Sequence, residues 1–361
     1  MYNKAIDVLK KFEEHGYLAY IVGGYPRDNL LGIKTTDIDI CTDATPKQIM
    51  EIFDTEAVSD IKYGYIRVIY KGVHFDVTTF RKDIKYENNR KPIKIKYITD
   101  LKKDLLRRDF TINTICIDSN GNYIDLLNAK SDLDNRIIKT VGNPKYRIKE
   151  DSLRILRAIR FVAMLDFDID DKTKYYIKRY GYLLKNLSKQ RKREELDKIL
   201  TAKDKEKGRK LIIELNLDKY LGISNLDKVI LCNDIIGIWS QVDNVCDLHF
   251  SKLEIEMITK IKELLKKEIN KLNVYKYGLY IASVVGSIKN INYQEINNMY
   301  EELPIYSRKD IVINGKDIAL SLNKEPGRYL TKILDDIEEK IVNLELNNDR
   351  DELINYIRSN Y

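Results

Sequence analysis

"YIVGGYPRDNLLGIKTTDIDI", residues 20–40, gathers a paired glycine (Gly23-Gly24), an Arg-Asp (Arg27-Asp28) and an Asp-Ile-Asp into one short run near the start of the chain. Taken singly, each piece is ordinary: a turn, a surface pair, two loop acids. Taken together they predict a strand, a tight turn, a helix opening near Pro26 and a second strand through Ile38 and Ile40. Alternation along that strand puts Asp37 and Asp39 on one face and turns Ile38 and Ile40 toward a core. Carboxylates held this close repel unless a cation lies between them, and hard oxygen ligands suit Mg²⁺, whose shell is completed by water and substrate phosphates. Two such ions serve nucleotidyl transfer, one activating the attacking oxygen and the other stabilising the leaving one. The glycines precede a helix whose expected first residue, Pro26, suits that position, and backbone N–H groups there are candidates to cradle a triphosphate.

Outward from this stretch, the first third alternates elements. A helix (Ala5 to Glu14), a strand (Leu18 to Val22) and a helix in "TPKQIMEIF" are followed by a hairpin, Tyr65 to Tyr70 and Val73 to Phe80, about Lys71-Gly72. Ser119-Asn120-Gly121-Asn122 marks a second hairpin turn. The charged, Asn-rich run Arg81 to Asp100 is expected to be a mobile loop. Beyond Asn143-Pro144 apolar residues recur at three- and four-residue spacing, as in Leu153, Leu156, Ile159 and Phe161, so the remainder is expected to be helical. Helices are expected through "EDSLRILRAIRFVAML" and "KTKYYIKRYGYLLKNL", and at Lys228 to Trp239, Leu253 to Leu272 and Tyr329 to Leu344. The fold class is therefore α+β: a mixed sheet with helices, then an all-α part.

Composition narrows the functions. At 361 residues, 43% apolar and 33% charged, the chain fits two to four globular modules. Cys41, Cys116, Cys232 and Cys246 form no Cys-x-x-Cys pair, and three histidines offer little to zinc. Reduced thiols and a cytoplasmic protein are expected. No signal peptide opens the chain and its apolar runs fall short of the ~20 residues a membrane helix needs, so no membrane association is expected. The net charge of +7, 63 Lys and Arg against 56 acids, permits a basic surface around an acidic pocket, the balance of a metal-dependent enzyme acting on nucleic acid.

Two later motifs add chemistry. In "RRDFTINT", Arg107 to Thr114, the apolar residues fit a core and Arg-Arg-Asp a solvated strand entry. In "EDSLRILRAIRF", Glu150 to Phe161, Asp151 and Arg154 lie three apart on an expected helix face, as do Arg154, Arg157 and Arg160, which by itself describes a salt-bridged surface.

With the opening stretch, these motifs resemble those of the class II tRNA nucleotidyltransferases and bacterial poly(A) polymerases, on the DNA polymerase β-like nucleotidyltransferase fold, over most of the chain. The resemblance assigns Gly23, Gly24, Arg27, Asp28 and Gly32 to a first motif, and Asp37 and Asp39 to catalysis and metal binding, with two Mg²⁺ ions. Tyr25-Pro26 departs from that motif's usual form. It implies ribose selection and nucleotide contact for Arg107, Arg108, Asp109 and Asn113, with Arg108 and Asp109 the stronger. It makes Asp151 and Arg154 the protein template for the base. Hydrogen-bond chemistry agrees: C and A pair an exocyclic amine donor with a ring-nitrogen acceptor, matching a carboxylate and a guanidinium, whereas U and G mismatch them. Arg157 and Arg160 then face the triphosphate or the RNA, or serve packing.

"DLLNAKSDLDNRIIKTVG", Asp125 to Gly142, resembles the motif tying head to neck through Asp132, Leu133 and Arg136. "SKQRKREELDKIL", Ser188 to Leu200, resembles the neck motif, with Gln190 where an acid is usual. "VINGKDIALSLNKEPGRYLTKIL", Val312 to Leu334, resembles the tRNA-holding tail, making Lys316 and Arg328 candidates for tRNA contact. The implied domains are a catalytic head (1–143), a neck recognising the base (144–200), a body (201–272) and a tail (273–361).

The expected activity is template-independent addition of CCA to tRNA from CTP and ATP, with pyrophosphate released and no obligate protein partner. Poly(A) polymerase, CC-adding and A-adding enzymes are rivals on the same fold. CC-adding enzymes lack part of the loop between the first two motifs; here the loop, with Arg81, Asp83 and Arg90, is full length. A catalytically dead RNA-binding module would not need the metal pair, and a small-molecule nucleotidyltransferase would not need the long helical half. No His-Asp phosphohydrolase signature is present.

Overall fold

The decisive stretch folds as a strand, a short helix and a second strand. The computed structural model describes residues 1–53, 64–87, 91–245 and 247–361; the expected loop residue Arg90, the side chain of Asp83, and Cys246 lie outside the described residues. The chain divides into two compact units, Met1–Asp227 with Asn244–His249, and Lys228–Asp243 with Phe250–Tyr361. Among the described residues, no helix is long and apolar enough to cross a membrane.

The first unit opens with α1 (Tyr2–Glu14), β1 (Ala19–Val22), α2 (Gly24–Leu30), β2 (Asp39–Thr42), α3 (Pro46–Phe53), β3 (Tyr65–Tyr70) and β4 (Val73–Thr79). Then come β5 (Arg81–Glu87), β6 (Lys91–Tyr97), α4 (Leu101–Leu105), β7 (Cys116–Ile117) and β8 (Tyr123–Ile124). The main sheet runs β3-β4-β2-β1-β7-β8. β1 is antiparallel to β2 and β7, β2 is parallel to β4, and the register sets Val22 and Asp76 on either side of Asp39. The β3–β4 hairpin closes through Lys71 (φ 48°) and Gly72 (φ 75°), the paired left-handed conformation that matches strand twist.

Alternation divides the two faces. Ile21, Ile40, Ile66, Val68, Phe75 and Val77 meet Val8, Leu9 and Phe12 of α1 and Ile49 and Phe53 of α3. Val22, Cys41 and Cys116 point the other way, against Phe80 and Leu101 and Leu105 of α4. Asp39 shares the second parity, so its carboxylate emerges on the α4 side at the start of β2.

Helices follow β8: α5 (Ala129–Asp134), the short β9 (Ile137–Ile138), α6 (Pro144–Glu150), α7 (Leu153–Leu165), β10 (Asp168–Ile169) parallel to β9, α8 (Asp171–Tyr180), α9 (Lys189–Leu200), α10 (Lys205–Glu214) and α11 (Asp218–Leu221). Asn143 caps α6 with Pro144 as its first residue, and Ser188 caps α9. The second unit is helical: α12 (Ile235–Ser240), α13 (Lys252–Leu265), α14 (Lys271–Lys289), α15 (Tyr293–Glu301), α16 (Gly315–Ser321), α17 (Tyr329–Val342) and α18 (Arg350–Asn360).

Several expected boundaries move. Helix α2 begins at Gly24 rather than Pro26, because Gly23 makes the turn at φ 83°. Strand β2 begins only at Asp39. Arg81 to Asp100 is not an irregular loop: β5 and β6 pair antiparallel with register shifts near Lys85, and the alternation of Ile93, Ile95 and Tyr97 with lysines was the strand signal its charges hid. The helix expected at 228–239 is confined to α12, and that at 253–272 ends at Leu265 before Asn270 caps α14. Gln190 bonds Glu194 at 3.0 Å, a turn along α9, without disturbing the Ser188 cap.

Ile21 lies fully buried on the central strand β1. Ile21→Ala should lower unfolding stability by about 2–5 kcal/mol, read as a shift of the urea midpoint at unchanged slope; a shift near zero would mean that β1 is not the keystone of the head.

Candidate active site

The site grows from the turn after β1. At Gly23 a Cβ would sit 3.2 Å from Asp39 Oδ2, and φ is +83°, so both space and backbone select glycine. Tyr25, the departure from the family pattern, points away: it stacks on Tyr2 at 5.8 Å and joins the core beneath the sheet. A cleft of about 500 Å³ opens beside the turn, lined by Gly23, Gly24, Arg27, Asp28, Thr35, Asp37, Asp39, Arg108, Asp109, Asn113, Arg157, Arg160, Phe161, Met164 and Lys198. Nine of the sequence-derived candidates, Gly24, Arg27, Asp37, Asp39, Arg108, Asp109, Asn113, Arg157 and Arg160, thus meet in one place.

Asp37 and Asp39 form the acidic end. Burial, then the negative charge of Asp37, pushes the Asp39 carboxyl up to about 6, with Arg108 opposing and Asp76 adding to the rise. Arg157 adds to the opposing positive charge. Among the described residues no group of three or more His, Cys, Asp or Glu forms a metal cage. Two carboxylates open to a cleft, leaving other positions to water and phosphate, are the donor set that suits Mg²⁺.

Opposite lies an arginine network. Arg27 is 4% exposed; it pairs with Asp28 at 2.7 Å and donates to Asn113 Oδ1 at 2.6 Å. Asn113 donates to Asp109 at 3.0 Å, and Arg157 Nε donates to the other Asp109 oxygen at 2.7 Å. Burial alone would raise the Asp109 carboxyl, but the Arg157 guanidinium, the Asn113 amide and the Phe110 N–H hold it well below the usual carboxylate range. Arg160 pairs with Glu195 of α9 at 2.9 Å. A chain of polar contacts therefore joins α2, the segment at 109–113 and α7.

One member was missed in the sequence. Asp104, with its side chain fully buried, pairs with Arg107 at 2.7 Å and Arg108 at 3.3 Å, and accepts from the backbone N–H of Arg81 at 3.1 Å. It ties the start of the β5–β6 ribbon to an arginine of the cleft. Its spacing, three and four residues before the arginines, was the available signal. Thr35, Phe161, Met164 and Lys198 were also missed as lining residues; helical periodicity assigned Phe161 to packing.

Asp151 and Arg154 are not brought into the cleft. No single helix carries them: α6 ends at Glu150, Asp151 is extended (φ −144°, ψ 101°), and α7 starts at Leu153. The Asp151 carboxylate accepts from the N–H of Leu153 at 3.0 Å, while Arg154, 6% exposed, donates to the carbonyls of Arg147 at 2.6 Å and Arg107 at 3.2 Å. In the second unit, Lys316 lines a cavity with Leu320, Asn323 and Lys324, and Arg328 precedes the first residue of α17 without a capping side-chain bond.

A mixed sheet with a glycine turn against an Asp-x-Asp pair, faced by arginines, defines a nucleotidyltransferase head. Residues 19–139 match the family described as the poly(A) polymerase head domain, residues 166–222 that described as "Probable RNA and SrmB- binding site of polymerase A", and residues 241–357 tRNA nucleotidyltransferase domain 2. The chain is 33% identical to the CCA-adding enzyme of Anoxybacillus flavithermus, covering 98% of this chain and 96% of that protein. It is 36% identical to the CCA-adding enzyme of Lactococcus lactis subsp. lactis, covering 96% and 94%. The crystal structure of the Bacillus stearothermophilus CCA-adding enzyme in complex with CTP superimposes with a TM-score of 0.89 at 26% identity, covering 99% and 97%. The chain belongs to the family of CCA-adding enzymes, whose nucleotidyl transfer generally uses divalent metal ions.

The depressed Asp109 carboxyl sets a pH dependence. Its contribution to stability is fully present above the ordinary carboxylate value near 4 and is lost as pH falls toward its lower folded value. Urea midpoints measured from pH 7 down to 3 should fall for the wild type and fall less steeply for Asp109→Asn; parallel curves would show that the Asp109–Arg157 pair carries none of this linkage.

Proposed function

We propose that the protein adds CCA to the 3′ end of tRNA from CTP and ATP, without a nucleic-acid template, and releases pyrophosphate. The observation that carries this reading is the full-length similarity to CCA-adding enzymes at 33 to 36% identity, on a chain that keeps its carboxylate pair facing the arginine network. A binding-only role gives no reason to keep Asp37 and Asp39 side by side at the energetic cost that lifts the Asp39 carboxyl.

By this reading Asp37 and Asp39 hold the divalent ions, Mg²⁺ and two in number. Bound there, such ions would supply activation of the terminal ribose 3′-hydroxyl and neutralisation of charge on the departing pyrophosphate. The protein's own part is position and charge. The Gly23-Gly24 turn leaves room beside Asp39, and Arg27, Arg108, Arg157 and Arg160 present N–H groups to the phosphates while Asp104, Asp109, Asn113 and Glu195 fix their directions. Asp151 and Arg154 select the base by accepting from an exocyclic amine and donating to a ring nitrogen. Since Arg154 is 6% exposed and bonded to the Arg147 carbonyl, recognition requires the α6–α7 break to open and release it. The neck and base-recognition role falls to 144–200, the head to 1–143, a body to 201–272 and a tRNA-holding tail to 273–361, with Lys316 and Arg328 in contact with tRNA. Arg81 belongs to the ribbon between the first two motifs, whose full length favours complete CCA addition over CC addition.

Labelled CTP and ATP offered with Mg²⁺ to tRNA ending before CCA, after C or after CC test the whole reading. Addition that stops at CCA is expected; stopping after CC, adding only the final A, or making a long A tail would replace it with a related specificity. Asp39→Ala should reduce incorporation by at least about a thousandfold while leaving tRNA affinity unchanged, and residual incorporation near wild type would remove the metal assignment. Asp151→Ala or Arg154→Ala should raise misincorporation of UTP and GTP more than it weakens tRNA binding; an unaltered nucleotide preference would sink the template assignment.

A further inference from the structure

Three guanidinium groups that line the cleft converge on one aromatic ring. The guanidinium carbons of Arg27, Arg157 and Arg160 lie 5.1, 5.6 and 4.9 Å from the centre of the Phe161 ring. Arg27 comes from α2 in the sheet layer, the other two from α7, so the ring stands where the two layers meet. Phe161 is itself 4% exposed, and its plane is set by an edge-on contact with buried Phe110 at 5.6 Å and 83°.

Each arginine also has an anchor away from the ring: Asp28 and Asn113 for Arg27, Asp109 for Arg157, Glu195 for Arg160. At Arg160 the anchor is opposed. Burial first, then the charges of Arg157 and Arg27, disfavours the Arg160 cation in spite of Glu195, and the buried Arg160 Nε and Glu195 Oε2 have no hydrogen-bond partner. Three like charges crowded in a half-dry cleft repel one another. An aliphatic side chain at position 161 would fill the same space and leave that repulsion unrelieved, whereas the negative face of an aromatic ring offsets it.

We propose that Phe161 is a positioning residue for the triphosphate: its ring holds Arg27, Arg157 and Arg160 together, with their outer N–H edges turned toward the phosphates of an incoming nucleotide. This rests on the reading of the cleft as the nucleotide site. Because the ring acts on the phosphate-binding arginines and not on the base, CTP and ATP are affected alike. Phe161 does not touch the reacting atoms and takes no part in selecting the base.

The test replaces Phe161 site-specifically with 3,4,5-trifluorophenylalanine, which keeps the shape and weakens the negative ring face, alongside monofluorophenylalanine and Phe161→Leu. KM for CTP and for ATP, kcat, the dissociation constant for tRNA and the melting temperature are measured for each in the full-length enzyme. The expected result is a KM that climbs with fluorine content for both nucleotides, reaching about tenfold in the trifluoro protein, with tRNA affinity and melting temperature unchanged. A KM that stays flat along the fluorine series, or rises only in Phe161→Leu together with a fall in melting temperature, would reduce the ring to packing and overturn the proposal while the nucleotide site stands. A wild-type enzyme that neither incorporates nor saturates with CTP or ATP would overturn the site reading, and the proposal with it.

Discussion

The approach of the Gly23 backbone to the Asp39 carboxylate is the constraint on which the site depends. The antiparallel register sets Val22 opposite Asp39, so the chain leaving β1 has to turn within reach of that carboxylate, and it does so at φ +83° with 3.2 Å between the Asp39 oxygen and the place a Cβ would take. Any side chain there would push the turn off the strand end. The same register fixes which way Asp39 points: its parity is that of Cys41, toward the α4 face, while Ile40 is locked into the opposite core. A one-residue slip of β2 would bury the acids and expose the isoleucine, so the apolar core is what keeps the acidic pair in the cleft.

From that fixed end the structure reaches the helical layer by charge, not by apolar packing alone. Asp109, Asn113 and Arg27 on one side and Arg157 on the other form a continuous hydrogen-bonded chain, and Asp104 does the same for Arg107 and Arg108. Buried ion pairs contribute little net stability over apolar residues of the same volume, yet breaking one of them is costly. They are better understood as geometry-setting devices. Each acid holds one edge of a guanidinium, and Arg27, Arg108, Arg157 and Arg160 line the cleft.

Much of this was legible in the residues. The glycine pair, the Asp-x-Asp alternation, the Lys71-Gly72 hairpin and the change to helical spacing at Pro144 are local signals, and they locate the sheet, the acids and the start of the helical part. Local signals also mislead where tertiary pairing overrides composition. The ribbon at 81–97 is rich in lysine and asparagine, and only pairing of its two halves makes a strand of either. The three-residue spacing of Asp151 and Arg154 predicted a shared helix face, but Asp151 caps Leu153 instead of continuing the helix, since a short acidic side chain competes for the backbone of the next turn. Asp104 went unread for a different reason: its partners Arg107 and Arg108 were close in sequence, but the burial that gives the contact its weight depends on β5 and the sheet above it.

The arginines carry the physical tension of the molecule. Burial and the charge of Arg157 disfavour the Arg160 cation, just as burial and Asp37 disfavour the ionised Asp39 carboxylate. The two groups carry opposite charge and line one cleft. By the proposed reading, a triphosphate with its divalent ions would set negative charge toward the arginines and positive charge toward the acids, and would relieve both penalties at once. A protein that folded to minimise its own electrostatic energy would close that gap with salt bridges. This one holds the two ends apart with a sheet on one side and α7 on the other, an arrangement that suits a ligand charged at both ends.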